Sequence, residues 1–155
     1  MKQDYGRQPK IHDVIIKNLS WKYQDDGQFL ELARYIGESK LQLNLSIIQP
    51  GAIKAFHQHQ LQWDEWFCWE PLLVRLYDGR LDSPSFNTSM RFMLCNQSLR
   101  INPGISHGVR NLNDHPVCLF YTVSNFFNPE DPDEIREPWD MLDSPENSLW
   151  EMQRG

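Results

Sequence analysis

From residue 41 the chain alternates. Leu41-Gln-Leu-Asn-Leu-Ser-Ile sets apolar positions against polar ones with a period of two, the pattern of a strand buried on one face. Further short apolar segments follow at Ile53 to His59, Trp66 to Trp69, Leu72 to Tyr77, Met90 to Leu94 and Leu99 to Ile101, then at Val109 and at Val117 to Val123. Upstream, the β-branched run Ile11 to Ile16 predicts a strand, as does Phe29 to Tyr35 between Gly27 and Gly37. Turn residues punctuate the series at Gln24-Asp-Asp-Gly27, Pro50-Gly51 and Pro103-Gly104, with a loop over Asp78 to Asn87. Strands recurring roughly every 8–12 residues predict an all-β sandwich or barrel.

The tail breaks the pattern. Asn128-Pro-Glu-Asp-Pro-Asp-Glu is acidic and rich in proline, which cannot donate to a central ladder. It is expected to wrap the surface, irregular or in part helical, with Trp139 as an anchor and a short helix from Ser148. The predicted organisation is an N-terminal arm over 1–10, one domain over 11–128, and a tail over 129–155 packed on that domain.

Composition narrows the class. A chain of 155 residues with 40% hydrophobic content suits one globular domain. A formal net charge of −6 argues against a nonspecific grip on nucleic acid. No apolar run approaches the roughly 20 residues of a bilayer span, and the N-terminus has no apolar signal core, so a cytoplasmic protein without membrane partners is expected. The three cysteines, Cys68, Cys95 and Cys118, form no CxxC and read as buried thiols.

The candidate chemistry lies in Gly51-Ala-Ile-Lys-Ala-Phe-His57-Gln-His59 and in Asn102-Pro-Gly-Ile-Ser-His107-Gly. Histidines at i and i+2 of a strand share a face, and a third, directed by a turn, can join them. Converging imidazoles hold a metal or move protons. In the metal reading, His57, His59, Asp64 and His107 hold one divalent transition ion. Without a metal, Asp64 and Glu65 read as ordinary exposed acids. Asp78 and Arg80 read as an ion pair closing their loop. His12 and His115 are expected in solvent, and of Trp63, Trp66 and Trp69 at least one must face outward.

Several blocks between Gln42 and Asp133 carry a resemblance. They are Gln42-Leu-Asn44-Leu-Ser46, Gly51 to His57, Asp78-Gly-Arg80-Leu-Asp-Ser83-Pro84-Ser-Phe86, Ile101-Asn-Pro-Gly104-Ile-Ser-His107-Gly108 and Tyr121 to Pro129. The chain resembles the dTDP-4-dehydrorhamnose 3,5-epimerases, and the spacing of Gly51, His57, His59 and Asp64 is similar to the first metal motif of the wider cupins. The resemblance implies a cupin jelly roll, a homodimer, a sugar-nucleotide ligand and no cofactor. It implies a keto-sugar nucleotide epimerase or isomerase in which His57 removes a proton alpha to the ketone. Tyr121 is the remaining phenol for the second catalytic role, and Gln42, Asn44, Lys54, His107 and Phe127 are the implied substrate contacts; His59, which the family pattern lacks, is a further candidate contact. Three positions depart: Phe127 stands at the family's acidic Tyr, Trp63 at its Lys and Asp26 at an Arg near the phosphates. A metal-dependent cupin enzyme and a non-catalytic carbohydrate-binding cupin are the competing readings.

Overall fold

A computed structural model describes residues 10–20, 22–24, 27–29, 32, 35, 37, 41–143 and 150. Twelve strands are ordered along these residues: β1 (Ile15–Asn18), β2 (Lys22–Gln24), β3 (Gly27–Phe29), β4 (Gln42–Ile48), β5 (Ile53–Gln58), β6 (Asp64–Cys68), β7 (Leu72–Asp78), β8 (Thr88–Leu94), β9 (Gln97–Ile101), β10 (Ile105–Arg110), β11 (Val117–Val123) and β12 (Ile135–Arg136). They form two five-stranded sheets, β1-β9-β6-β11-β4 and β12-β5-β10-β7-β8, and a β2-β3 hairpin. Every pairing is antiparallel. The expected all-β sandwich is therefore found. No helix among the described residues is long and apolar enough to cross a membrane.

The core lies between the inner faces. Trp66, Cys68, Leu99, Ile101 and Leu119 of the first sheet meet Leu72, Val74, Leu76, Leu94 and Ile105 of the second. The unbroken apolar run Leu72-Leu-Val is explained by burial on both sides. Leu72 and Val74 face the core, while Leu73 packs outward with Phe56 and Trp150. Arg75, on that outer side, is almost wholly buried. Its guanidinium lies 5.1 Å from the Trp150 ring centre and 2.9 Å from Asp143 Oδ1. A buried guanidinium needs such a carboxylate, so the tail is held by charge as well as by apolar contact.

Several expectations shift. The first strand begins at Ile15, because Ile11 is turned into the core and Asp13 adopts a positive φ of 61°. β3 ends at Phe29, and most of 30–36 lies outside the described residues. The tail anchor is Trp150, fully buried with its Nε1–H donated to the Trp139 carbonyl; Trp139 itself is half exposed. The helix expected from Ser148 and the arm before residue 10 fall outside the described residues. Of the thiols only Cys68 is buried; Cys95 and Cys118 are half-buried.

The loop over 78–88 is closed by charge. The Asp78 carboxylate, fully buried, receives Arg80 Nε at 2.8 Å, Ser83 Oγ at 2.6 Å and Ser85 Oγ at 2.7 Å. Arg80 also reaches Asp13 Oδ2 at 3.0 Å, tying the loop to the entry of β1.

Candidate functional site

Two strands of the second sheet bring the histidines together. β5 and β10 pair with His57 opposite His107, yet Lys54 stands opposite Val109. Three steps along β5 match two along β10, so β5 carries a bulge at Ala55-Phe56. The bulge turns Lys54 and His57 to one side although three residues separate them, and both line the same cavity. Gly108 faces the bulge. A Cβ there would lie 2.9 Å from Ala55 Cα and closer still to Ala55 Cβ. The His-Gly block thus has a steric cause: only a residue without a side chain admits the bulged strand.

His57, His59 and His107 form a triangle, with ring centres 4.2 to 5.5 Å apart. His107 is buried on β10, beyond the turn where sequence placed it; its Nδ1–H donates to the Ile105 carbonyl at 2.9 Å. The His107 Nε2 lone pair then points inward and meets His57 Nε2 at 3.0 Å. Two lone pairs repel, so His57 Nε2 carries the hydrogen and its Nδ1 is the free basic nitrogen. His59 donates Nδ1–H to the Asp133 carbonyl, which turns its Nε2 inward as well. Burial, then the neighbouring His107, His59, Arg136 and Lys54, push the His57 pKa down to about 2. Burial also lowers His107, with the Asp64 carboxylate opposing it.

Asp64 is not the exposed acid that the sequence suggests: it is 3% exposed. The first residue of β6, it points between the sheets. Its Oδ1 accepts Gln62 Nε2 at 2.9 Å and its Oδ2 accepts Trp66 Nε1 at 3.2 Å. Its oxygens lie 3.9 Å from His59 Nε2 and 3.8 Å from His107 Nε2. One ligand atom from each of His57, His59, Asp64 and His107 lies within 4.8 Å of the others. Three nitrogens and one carboxylate oxygen are a donor set that fits a divalent transition ion.

The cavity above this cluster measures about 980 Å³. The first sheet supplies Gln42, Asn44, Ser46 and Tyr121, and the second supplies Lys54 and His57. Phe127 stands at the rim, 65% exposed, with its backbone N–H donated to Gln42 Oε1 at 3.0 Å. Gln42 Nε2 donates to Asn44 Oδ1 at 2.9 Å, which leaves the Asn44 amide hydrogens for the cavity. Lys54 Nζ reaches across to Ser46 Oγ at 3.0 Å. Trp63 lies outside the cavity lining; the Arg100 guanidinium stacks 3.5 Å from its ring centre and pairs with Glu65 at 2.9 Å. Asp26 lies outside the described residues.

Sequence reasoning missed three contributors from the tail. The Asp133 carboxylate accepts the N–H groups of Gln60, Leu61 and Gln62 at 2.8 to 3.0 Å and so shapes the turn after His59. Burial alone would raise its pKa, but these three donors reverse the shift and lower it. Arg136 lies opposite His57 on β12 and adds a second cation to the lining, beside Glu134 at 2.6 Å. Their only signal was the cluster of charged residues Asp133, Glu134 and Arg136 that follows Pro132.

No family model matches the chain. It is 36% identical over 137 residues, 84% of the chain and 91% of the relative, to the spore coat polysaccharide biosynthesis protein SpsL of Bacillus subtilis (strain 168). It is 31% identical over 142 residues, 85% of the chain and 90% of the relative, to the probable low-salt glycan biosynthesis epimerase Agl13 of Haloferax volcanii. Its fold is similar to the crystal structure of dTDP-4-dehydrorhamnose 3,5-epimerase from Elizabethkingia anophelis NUHP1. The TM-score is 0.72 at 19% identity, covering 86% of this chain and 79% of that one.

Proposed function

Since this chain belongs to the dTDP-4-dehydrorhamnose 3,5-epimerase-like family of cupin sugar-nucleotide epimerases, we propose that it epimerises or isomerises a keto-sugar nucleotide, with His57 as the base. The observation that carries this reading is the His57–His107 contact at 3.0 Å in the cavity floor. A carbonyl acidifies the neighbouring C–H, so its removal needs only a placed base and no cofactor. His57 Nδ1 takes the proton. The developing charge passes along the pair when the His57 Nε2 hydrogen moves to His107 Nε2. There the Ile105 carbonyl and the Asp64 carboxylate stabilise an imidazolium. A buried imidazole that resists protonation alone becomes an effective base when the proton is shared in this way.

The enolate left behind needs hydrogen-bond donors. With Trp63 outside the cavity lining, the Asn44 amide is the neutral donor from the first sheet that fits this role. Reprotonation on the opposite face requires an acid on the opposing wall. Tyr121 is on β11 of the first sheet, and His57 is on β5 of the second. Lys54 and Arg136, the latter paired with Glu134, are the two cations among the described lining residues that a ligand's diphosphate would meet. The enzyme would act in the cytoplasm, where nucleoside phosphates are made. It would act as a homodimer, because Leu43, Leu45 and Ile47 of β4 form an outward apolar row with each side chain more than half exposed.

The test is solvent exchange. Incubated in deuterated buffer with a panel of 4-keto sugar nucleotides, the protein should incorporate deuterium alpha to the ketone. His57→Ala should lower that rate by about 10²–10⁴. Absence of exchange across the panel would remove the epimerase reading.

A further inference from the structure

Phe56 and Trp150 pack on the far side of the second sheet from the cavity, and the proposed reaction uses neither. They meet where the bulge needs support. The β10 ladder pairs Lys54 and His57 and skips the two residues between them, so it does not by itself hold Phe56. The tail does. Phe56 exchanges two backbone hydrogen bonds with Glu137, at 2.9 and 3.3 Å. Its buried ring lies 5.3 Å from the Trp150 ring centre. The Arg75 guanidinium lies over both rings, 5.6 Å from that of Phe56 and 5.1 Å from that of Trp150. The tip of the same indole reaches β10, where a Cβ added to Gly108 would stand 3.0 Å from Trp150 Cη2. Phe56 precedes His57 and Gly108 follows His107. One side chain thus covers both strands at the point where they carry the two imidazoles. It is itself fixed: Nε1–H donates to the Trp139 carbonyl at 2.8 Å, and its own carbonyl accepts Arg110 Nη1 at 2.9 Å.

We propose that Trp150 is a positioning residue for the base: through Phe56 on β5 and Gly108 on β10 it holds the bulge in the shape that sets His57 Nε2 against His107 Nε2. Without the indole, Phe56 has open space behind it and the bulge relaxes away from the cavity. The contact between the imidazoles, 3.0 Å long, is sensitive to such a shift, because a hydrogen bond weakens steeply once its angle is lost. The hydrogen on His57 Nε2 then has no fixed acceptor, and the ring is free to carry it on either nitrogen. The tail therefore acts on the proton transfer from outside the cavity, with the sheet between them. The effect on turnover rests on the epimerase reading; the effect on the imidazole pair does not.

The experiment uses the full chain. In the wild type, nitrogen-15 spectra of the histidine side chains should show His57 as one tautomer, with its hydrogen on Nε2. In Trp150→Leu the His57 signals should move to a mixture of both tautomers, and Phe56→Leu, which removes the other ring of the pair, should do the same. Trp150→Phe keeps a ring over Phe56 and should keep the single tautomer. In the exchange assay with 4-keto sugar nucleotides, Trp150→Leu should lower turnover about 10-fold or more, with KM changed less than about 2-fold. Trp150→Phe should retain most of the turnover. Leu94→Ala, which opens the main core instead, should lower the melting temperature and leave turnover well below that temperature intact. In a His107→Gln background, Trp150→Leu should add little further loss, since the contact it sets is already gone. A single His57 tautomer in both Trp150→Leu and Phe56→Leu overturns the proposal, as do losses that multiply in the double variant. Absence of exchange in the wild type removes the epimerase reading, and the tautomer spectra then decide this proposal alone.

Discussion

Lys54 and His57 face one cavity because the strand between them is bulged, with Ala55 pressed against Gly108 of the neighbouring strand. In a regular strand, residues three apart point to opposite faces. The bulge therefore places the Lys54 ammonium and the His57 imidazole in the same space.

Gly108→Ala tests the bulge. Its Cβ would collide with Ala55, whose backbone is held between β10 and the tail strand. Overpacking of this kind should cost at least about 2 kcal/mol in denaturant unfolding. A second substitution, Ala55→Gly, should recover part of the loss. An unchanged unfolding midpoint would show that the contact carries no constraint.

His107→Gln tests the shared proton. Glutamine cannot take the hydrogen that His57 hands on, so turnover should fall about 10-fold or more while KM changes little. A variant with full turnover and a raised KM would make His107 a ligand contact only.

Phe127→Tyr tests the missing phenol. Phe127 stands at the cavity rim, at the position where the resembling epimerases carry their acid. A hydroxyl there should raise epimerisation, by about 10-fold, more than it raises solvent exchange. Equal gains in both rates would mean that reprotonation does not limit the wild type.

The loop carboxylate predicts an acid-labile fold. Burial would raise the Asp78 pKa, but hydrogen bonds from Arg80, Ser83 and Ser85 overcome it and hold the group well below the usual carboxylate range. As pH falls below about 4, the unfolded chain takes up a proton at Asp78 before the folded one does. Its contribution to stability is thus complete above that pH and is lost as pH falls towards the folded value. Melting temperature should drop between about pH 5 and pH 3. Asp78→Asn should be less stable at neutral pH and show a shallower drop. Parallel curves for the two proteins would remove Asp78 from the acid response.

Leu45→Glu tests the outer row of β4. A charge in the middle of the Leu43-Leu45-Ile47 row should convert a dimer to a monomer in sedimentation, with the fold retained. If the wild type already sediments as a monomer, that row is not a dimer contact.

How much of this was legible depends on the range of each interaction. Period-two alternation marks Gln42–Ile48 as a strand because its two faces meet different surroundings, but which face is which was not legible: the polar Gln42, Asn44 and Ser46 line the cavity, and the apolar Leu43, Leu45 and Ile47 point outward. His57 and His59 share a face for the same local reason. The Asp78–Arg80 pair was readable because its partners lie within one loop. Asp64 was misread as exposed, since the same residue is a surface acid or a cavity ligand depending on which way β6 faces. Trp139 and Trp150 look alike in sequence; only the arrangement of the tail over Arg75 and Phe56 selects Trp150 as the buried one.

The sequence by itself determined the sandwich, the pair of histidines on one strand face and the family blocks, because each is a short-range pattern of side-chain polarity or turn chemistry. The tertiary structure alone decided that His107 sits opposite His57, that a bulge adds Lys54 to their face, and that Asp133 and Arg136 return from the tail to the cavity. Those facts depend on strand register and on contacts between residues far apart in the chain. A shift of one residue in either pairing reverses every side chain without altering the local pattern.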